Sequence, residues 1–501
     1  MAVKKNLLAN YIGQFYLLVI AIIMVPFYLK YIGAEAYGLV GFFALIQSWI
    51  MLLDMGLSPT LLREVAKLKI NQTPRKLETF KYLFHSIEFI FIFIALFIIF
   101  FIVTFSSWIS LNWLKVETLN IDDVSYSISL IGIMVGLRFI TSLYKSGISG
   151  AEKQVWLNKM SMIIATFRYI GVLFVLHFFS SEFKHFFEYQ LLIAIIELSI
   201  FAITFYKILN IGTFKLYFSR KSIAPIFSFS AGIAYSGMVW IFITQLDKLL
   251  LSGVLPLKEY GYFSLLGMIA NALIQISAPI SKAILPRMTA LLSEDKEKEM
   301  LTIYRKATQI FAIIIFSVSG IIALYSYQLL YAWSGDINAA QWGKDILVYY
   351  TLGNVLISFA GFAFYLQYVH GNLTMHTKAY TFILFVFSPI LAWSVYAYGA
   401  IGASIVWFIF ALLFFLLWVP VVHHFFAPKL YRNWMLKDIL PTFISTSSYL
   451  LITHLFIDIQ NILDRSMIFL VLLLLGIGLF IVNSLISSIG RSFLFNLKER
   501  F

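Results

Sequence analysis

The chain has 501 residues, 61% of them hydrophobic and 12% charged, with a formal net charge of +13 and no cysteine. A water-soluble domain carries roughly 25% charged residues, so this composition excludes one and requires a bilayer around most of the surface. The missing cysteines exclude disulfides, zinc-thiolate sites and redox thiols, and the Lys and Arg residues, gathered in short clusters between apolar runs, read as topology signals rather than a nucleic-acid surface.

A crossing needs about 20 apolar residues, and in chain order this predicts fourteen spans, near 7–31, 37–62, 82–105, 126–146, 160–180, 187–206, 225–253, 260–285, 307–332, 346–370, 379–397, 401–424, 440–457 and 467–488. The first begins like a signal peptide, but its apolar run is too long and no A-x-A site follows, so it reads as a retained span. Tallied over alternate loops, 28 Lys and Arg fall on one side and 7 on the other. The positive-inside rule then places both termini in the cytoplasm. The longest outward loop, SSWISLNWLKVETLNIDDVS, is too short to fold as a domain of its own, so function must reside in the helices.

The stretch from Ala36, AYGLVGFFALIQSWIMLLDMGLSPTLLREVAKL, aligns with EYGYFSLLGMIANALIQISAPISKAILPRMTAL from Glu259, matching Tyr37-Gly38 to Tyr260-Gly261. Six spans separate the copies, so they share orientation, as in two six-helix halves related by an axis along the membrane normal. The expected organisation is all-α. Residues 1–210 form an N-terminal six-helix lobe and 211–397 supply helices seven to eleven of a second lobe, which helix twelve at 398–430 closes. Residues 431–501 add two further helices, and a central cavity lies between the lobes.

Five charges sit inside spans of the first half, where each costs about 2.5–3.5 kcal/mol on insertion scales unless paired or hydrated. At 1.5 Å per residue from the nearest basic loop, Asp54 and Arg168 lie ~13 Å deep, Glu88 and Arg138 ~10 Å and Glu197 ~15 Å, so all five share one layer. Two readings stay open: a structural salt-bridge layer, or a polar cavity in which Arg138 and Arg168 receive an anion, since the planar guanidinium suits phosphate. In the second half Asp247-Lys248 is either a local ion pair or cavity-facing and ion-linked, and Lys282 is either a topology charge or a substrate contact. Asn10 and Gln14, and Asn271 and Gln275, are pairs four apart on one helical face. They either bond between helices or line the cavity. In LLDMGLSPTLLREVAK, Gly56 permits a break and Ser58-Pro59 is expected to cap and open a new helix, with Asp54 at the broken end, either anchoring the break or taking a direct, ion-coupling part in transport.

There is no phosphate-binding P-loop, H-E-x-x-H or nucleophile elbow, so neither an enzyme nor a cofactor or metal is expected. With VPFYLKYIGAEAYG closing the first span and LLDMGLSP the second, the chain resembles the O-antigen-type polysaccharide repeat-unit flippases. These belong to the multidrug/oligosaccharidyl-lipid/polysaccharide exporter superfamily. Tyr37-Gly38, Asp54-Met55-Gly56 and Asp247 carry the match. The resemblance implies translocation of an undecaprenyl-diphosphate-linked oligosaccharide across a bacterial inner membrane, through a cationic cavity, coupled to protons or sodium. It also implies a polysaccharide polymerase and a chain-length regulator as neighbours. A cation-coupled drug exporter and a membrane-embedded polymerase are the alternatives. The former would need acids that the first span lacks.

Overall fold

A computed structural model describes residues 2–70, 73–456 and 464–491. Lys498 and Arg500, included in the charge tally, lie outside them. The described chain is helical apart from turns and short connections, and separates into two compact units, Met1–Gly261 and Tyr262–Phe501.

In the first unit, α1 (Ala2–Ile50) leads through one tight 3-10 turn into α2 (Leu57–Ile70). There follow α3 (Pro74–Trp108), α4 (Ile121–Gly150), α5 (Gln154–Thr166), α6 (Val172–Phe178), α7 (Phe183–Leu209) and α8 (Arg220–Val254). Helix α9 begins at Leu257 and runs to Gln275, so the boundary between the units at Gly261 falls within it. The second unit continues with α10 (Ser277–Ser293), α11 (Glu297–Leu324), α12 (Ser326–Ser334), α13 (Ile337–Val369), α14 (Thr374–Leu413), α15 (Val419–Phe426), α16 (Leu430–Asn433), α17 (Leu440–Phe456) and α18 (Arg465–Ile486).

Twelve continuous helical stretches among the described residues are long and apolar enough to cross a membrane. Two of them contain a break at a glycine, Gly33 (φ 78°) in α1 and Gly399 (φ 62°) in α14. Each of these two stretches carries two of the expected spans, which reconciles twelve stretches with fourteen crossings. Left-handed φ is the conformation glycine adopts without steric cost.

Helix starts follow local chemistry. Thr73 accepts from the Lys76 N–H at 3.3 Å ahead of Pro74, Asn120 from the Asp122 N–H at 2.8 Å, and Asp336 from the Asn338 N–H at 2.8 Å. The break in LLDMGLSP differs from expectation. Met55 and Gly56 both take left-handed φ, α2 begins at Leu57, and the Asp54 carboxylate accepts the Ser58 N–H at 3.0 Å. Asp54, not Ser58, therefore caps α2, because the helix begins at Leu57, two residues before a Ser58 cap would start it.

Helix α4 is the axis of the first unit. Gly132 and Gly136 let α3 approach it, Gly147 meets the Phe205 ring of α7, and Gly150 meets the α2 backbone at Leu62. Around it Phe84, Phe91, Phe139, Tyr144, Phe201 and Phe205 form a buried aromatic core, with Phe91 and Phe139 stacked at 4.6 Å. The repeat motifs also meet. A methyl group on Gly38 would overlap the Leu257 carbonyl oxygen, and one on Gly261 would overlap that of Ala34.

In the second unit α11 is the anchor. The Arg305 Nε and Nη2 donate to Asp438 at 2.6 and 2.9 Å, and Gln309 Nε2 donates to the same carboxylate at 2.7 Å. On α18, Asn483 Nδ2 donates to Ser317 at 3.0 Å and to Thr446 of α17 at 2.9 Å. These polar ties join the C-terminal helices to α11 where apolar surfaces alone give little preference between lipid and protein.

Candidate anion site

Within the first unit a cavity of about 210 Å³ is lined by Gln47, Arg138, Lys145, Arg168 and Glu197, with Met51 and Phe139 among its apolar walls. That is far more room than one water needs. Arg138 and Lys145 are two turns apart on α4, so one helical face presents both. Arg138 donates from Nη1 to Gln47 Oε1 at 3.0 Å and lies 4.5 Å from the Phe43 ring centroid. Its Nε is buried without a hydrogen-bond partner.

Arg168 occupies a wide π-type turn, Phe167–Gly171, between α5 and α6. Such a turn displaces carbonyls from the regular ladder. Tyr189 donates to the Phe167 carbonyl at 2.9 Å, Gln190 to that of Arg168 at 3.1 Å and Tyr28 to that of Tyr169 at 2.8 Å. The turn is thus pinned from α1 and α7, and Arg168 is held facing Glu197. The Glu197 carboxylate accepts Lys145 Nζ on Oε1 at 2.6 Å and Arg168 Nη2 on Oε2. Its side chain is 4% exposed, against 17% for Arg168 and 35% for Lys145. Of these three paired groups the acid is the least exposed and Lys145 the most. Three cations against one carboxylate leave the cavity with two uncompensated positive charges, a focus for an anion in a low-dielectric surround.

The structure brings Arg138, Arg168 and Glu197 together and adds Lys145 and Gln47. Sequence reading placed Lys145 among the loop charges. Its spacing from Arg138, with Thr141 and Ser142 between, was the available signal. Glu88 and Asp54 do not line the cavity. Glu88 is buried among Tyr144, Tyr206 and His85, which reach it at 2.6, 2.7 and 3.1 Å, and Asp54 caps α2. Asn10 Oδ1 accepts from Asn158 at 2.5 Å, joining α1 to α5, while Gln14 is exposed. Asp247 pairs with Lys248 at 3.3 Å, and Lys248 also donates to the Thr244 carbonyl at 2.7 Å. Asn271, Gln275 and Lys282 belong to the second unit and are exposed. No cluster of His, Asp or Glu among the described residues could hold a metal ion.

The family model for "Polysaccharide biosynthesis protein" matches residues 3–292. The chain belongs to that family. A relative from Shigella flexneri, named "Putative O-antigen transporter", is 24% identical over 408 residues, covering 81% of this chain and 94% of its own length. Among solved structures, this polysaccharide biosynthesis family chain is similar to the lipid II flippase MurJ in an inward closed conformation. The TM-score is 0.69 at 16% identity, over 96% of this chain and 97% of the other. It is also similar to an inward-facing multidrug resistance MATE transporter, with a TM-score of 0.64 at 14% identity over 83% and 96%. The fold is that of these transporters, and the chain is a multi-pass membrane protein.

Proposed function

We propose that the chain is a flippase for undecaprenyl-diphosphate-linked oligosaccharide repeat units in the bacterial inner membrane, supplying O-antigen, capsule or another surface polysaccharide. The observation that carries this reading is the cavity in which Arg138, Lys145 and Arg168 face a single carboxylate. A diphosphate diester bears two negative charges, and two positive charges stand uncompensated there. The polyprenyl chain stays in lipid while the hydrated head crosses along the polar walls.

In this reading the lobes are 1–210 and 211–430, with 431–501 as two added helices. They alternate access to a shared passage, both termini are cytoplasmic, and a proton or sodium gradient drives the cycle. No bond is made or broken, so no enzyme activity and no cofactor are required. The polysaccharide polymerase and chain-length regulator act on the delivered units. A drug exporter for cationic compounds fits the fold but not the cavity, whose net charge repels cations.

Deletion of the gene tests this. Complete repeat units on undecaprenyl diphosphate should accumulate on the inner leaflet and surface polysaccharide should vanish. Continued display of single units would point to a polymerase, and an altered drug sensitivity alone to an exporter.

A further inference from the structure

The net charge of the cavity has a second consequence, which rests on the flippase reading above. Monoanionic phosphodiesters are abundant in any bilayer built of anionic phospholipids, and a site that merely attracted phosphate would fill with them. We propose that Glu197 sets the charge of the site at +2 and thereby makes it selective for a doubly charged diphosphate diester over a singly charged phosphate diester. The geometry supports this division of labour. Glu197 is the most buried of the three paired groups, and both its oxygens are taken, Oε1 by Lys145 and Oε2 by Arg168. It is therefore placed to stay behind the cations while an anion meets their more open sides. Arg138, with a neutral partner in Gln47 and an unpartnered Nε, supplies the charge that Glu197 leaves uncancelled. A monoanion leaves the site at +1 in a low-dielectric surround, and a dianion brings it to neutrality.

The test uses the full-length protein in nanodiscs of neutral lipid at fixed salt. Binding of hexyl glucosyl diphosphate (two negative charges) and hexyl glucosyl phosphate (one) is measured by calorimetry, and the ratio of dissociation constants is the readout. The wild type should favour the diphosphate by about tenfold or more. Lys145→Gln, at +1, should bring the ratio close to unity, and Glu197→Gln, at +3, should raise it. The double variant Lys145→Gln/Glu197→Gln returns to +2 and should recover the wild-type ratio. Lys145 is the most exposed of the paired groups, so its variant keeps the test alive even where Glu197→Gln does not fold. A double variant no more selective than Lys145→Gln, or a ratio indifferent to Lys145→Gln, overturns charge setting and makes Glu197 only a positioning residue. A wild type that binds neither probe removes the anion site itself, and with it the residue-level support for the flippase reading.

Discussion

Arg138 donates to Gln47 across 3.0 Å, a neutral partner for a cation in the middle of a long apolar helix. Among the described residues no carboxylate pairs with it. We hypothesise that its stabilising counter-charge is the substrate. Arg138→Ala should abolish surface polysaccharide while the protein still reaches the membrane in normal amount, and Arg168→Ala should do the same. Normal polysaccharide in both variants removes these arginines from transport.

A cysteine at position 138 offers a complementary check, since the chain has no native cysteine to confuse it. The cavity opening predicts modification of that thiol by a small charged methanethiosulfonate. Protection from the reagent in the presence of inorganic diphosphate is expected as well. A thiol inert from both sides of the membrane would mean that the cavity is sealed.

Glu88 is expected to matter for folding rather than for transport. Its carboxylate takes hydroxyls from Tyr144 and Tyr206 in the aromatic core. Glu88→Ala strands these donors and should cost about 2–4 kcal/mol, read as a lower thermal unfolding midpoint in detergent. Transport per folded molecule should be kept; its loss in a stably folded variant would move Glu88 into the mechanism.

Asp54 separates capping from ion coupling cleanly. Asparagine caps nearly as well as aspartate, whereas alanine costs about 1 kcal/mol. Asp54→Asn should therefore sustain polysaccharide export, with Asp54→Ala weaker and less stable. If Asp54→Asn is fully inactive at normal protein level, the carboxylate does more than hold the turn.

At the other end of the chain, Asp438 gathers Arg305 and Gln309 of α11. Asp438→Ala leaves these donors without their acceptor and should loosen α17 and α18, seen as faster proteolysis within residues 430–491. An unchanged digestion pattern would show that the Asp438 contacts are not needed to hold those helices, the Asn483 ties and apolar packing sufficing.

The spans were legible because hydrocarbon imposes a length and a composition on every crossing, and Gly33 and Gly399 even mark where one continuous helix carries two of them. Arg138, Arg168 and Glu197 stood out for the same reason: a charge in an apolar run is conspicuous. Lys145 was not, because at a span end a cavity lysine has the same sequence signature as a topology lysine. Gln47 carries no charge to notice. Glu88 resembled the cavity charges in depth, but its partners are tyrosines remote in sequence, and no spacing rule joins them. Asp54 was found at the break, yet its capping of Ser58 depended on left-handed backbone at Met55, a conformation that sequence does not favour in a non-glycine residue.

Gly38 rests on the carbonyl of Leu257, and Gly261 on that of Ala34. Each of those carbonyls lies one helical turn before the opposite glycine. This is an isologous contact, the kind a two-fold axis imposes on identical surfaces, here made inside one polypeptide. Because the obstacle on both sides is main chain, trimming a neighbouring side chain cannot make room for added bulk. The two positions are consequently bound to a common fate: alanine at either should damage the same joint to a similar degree.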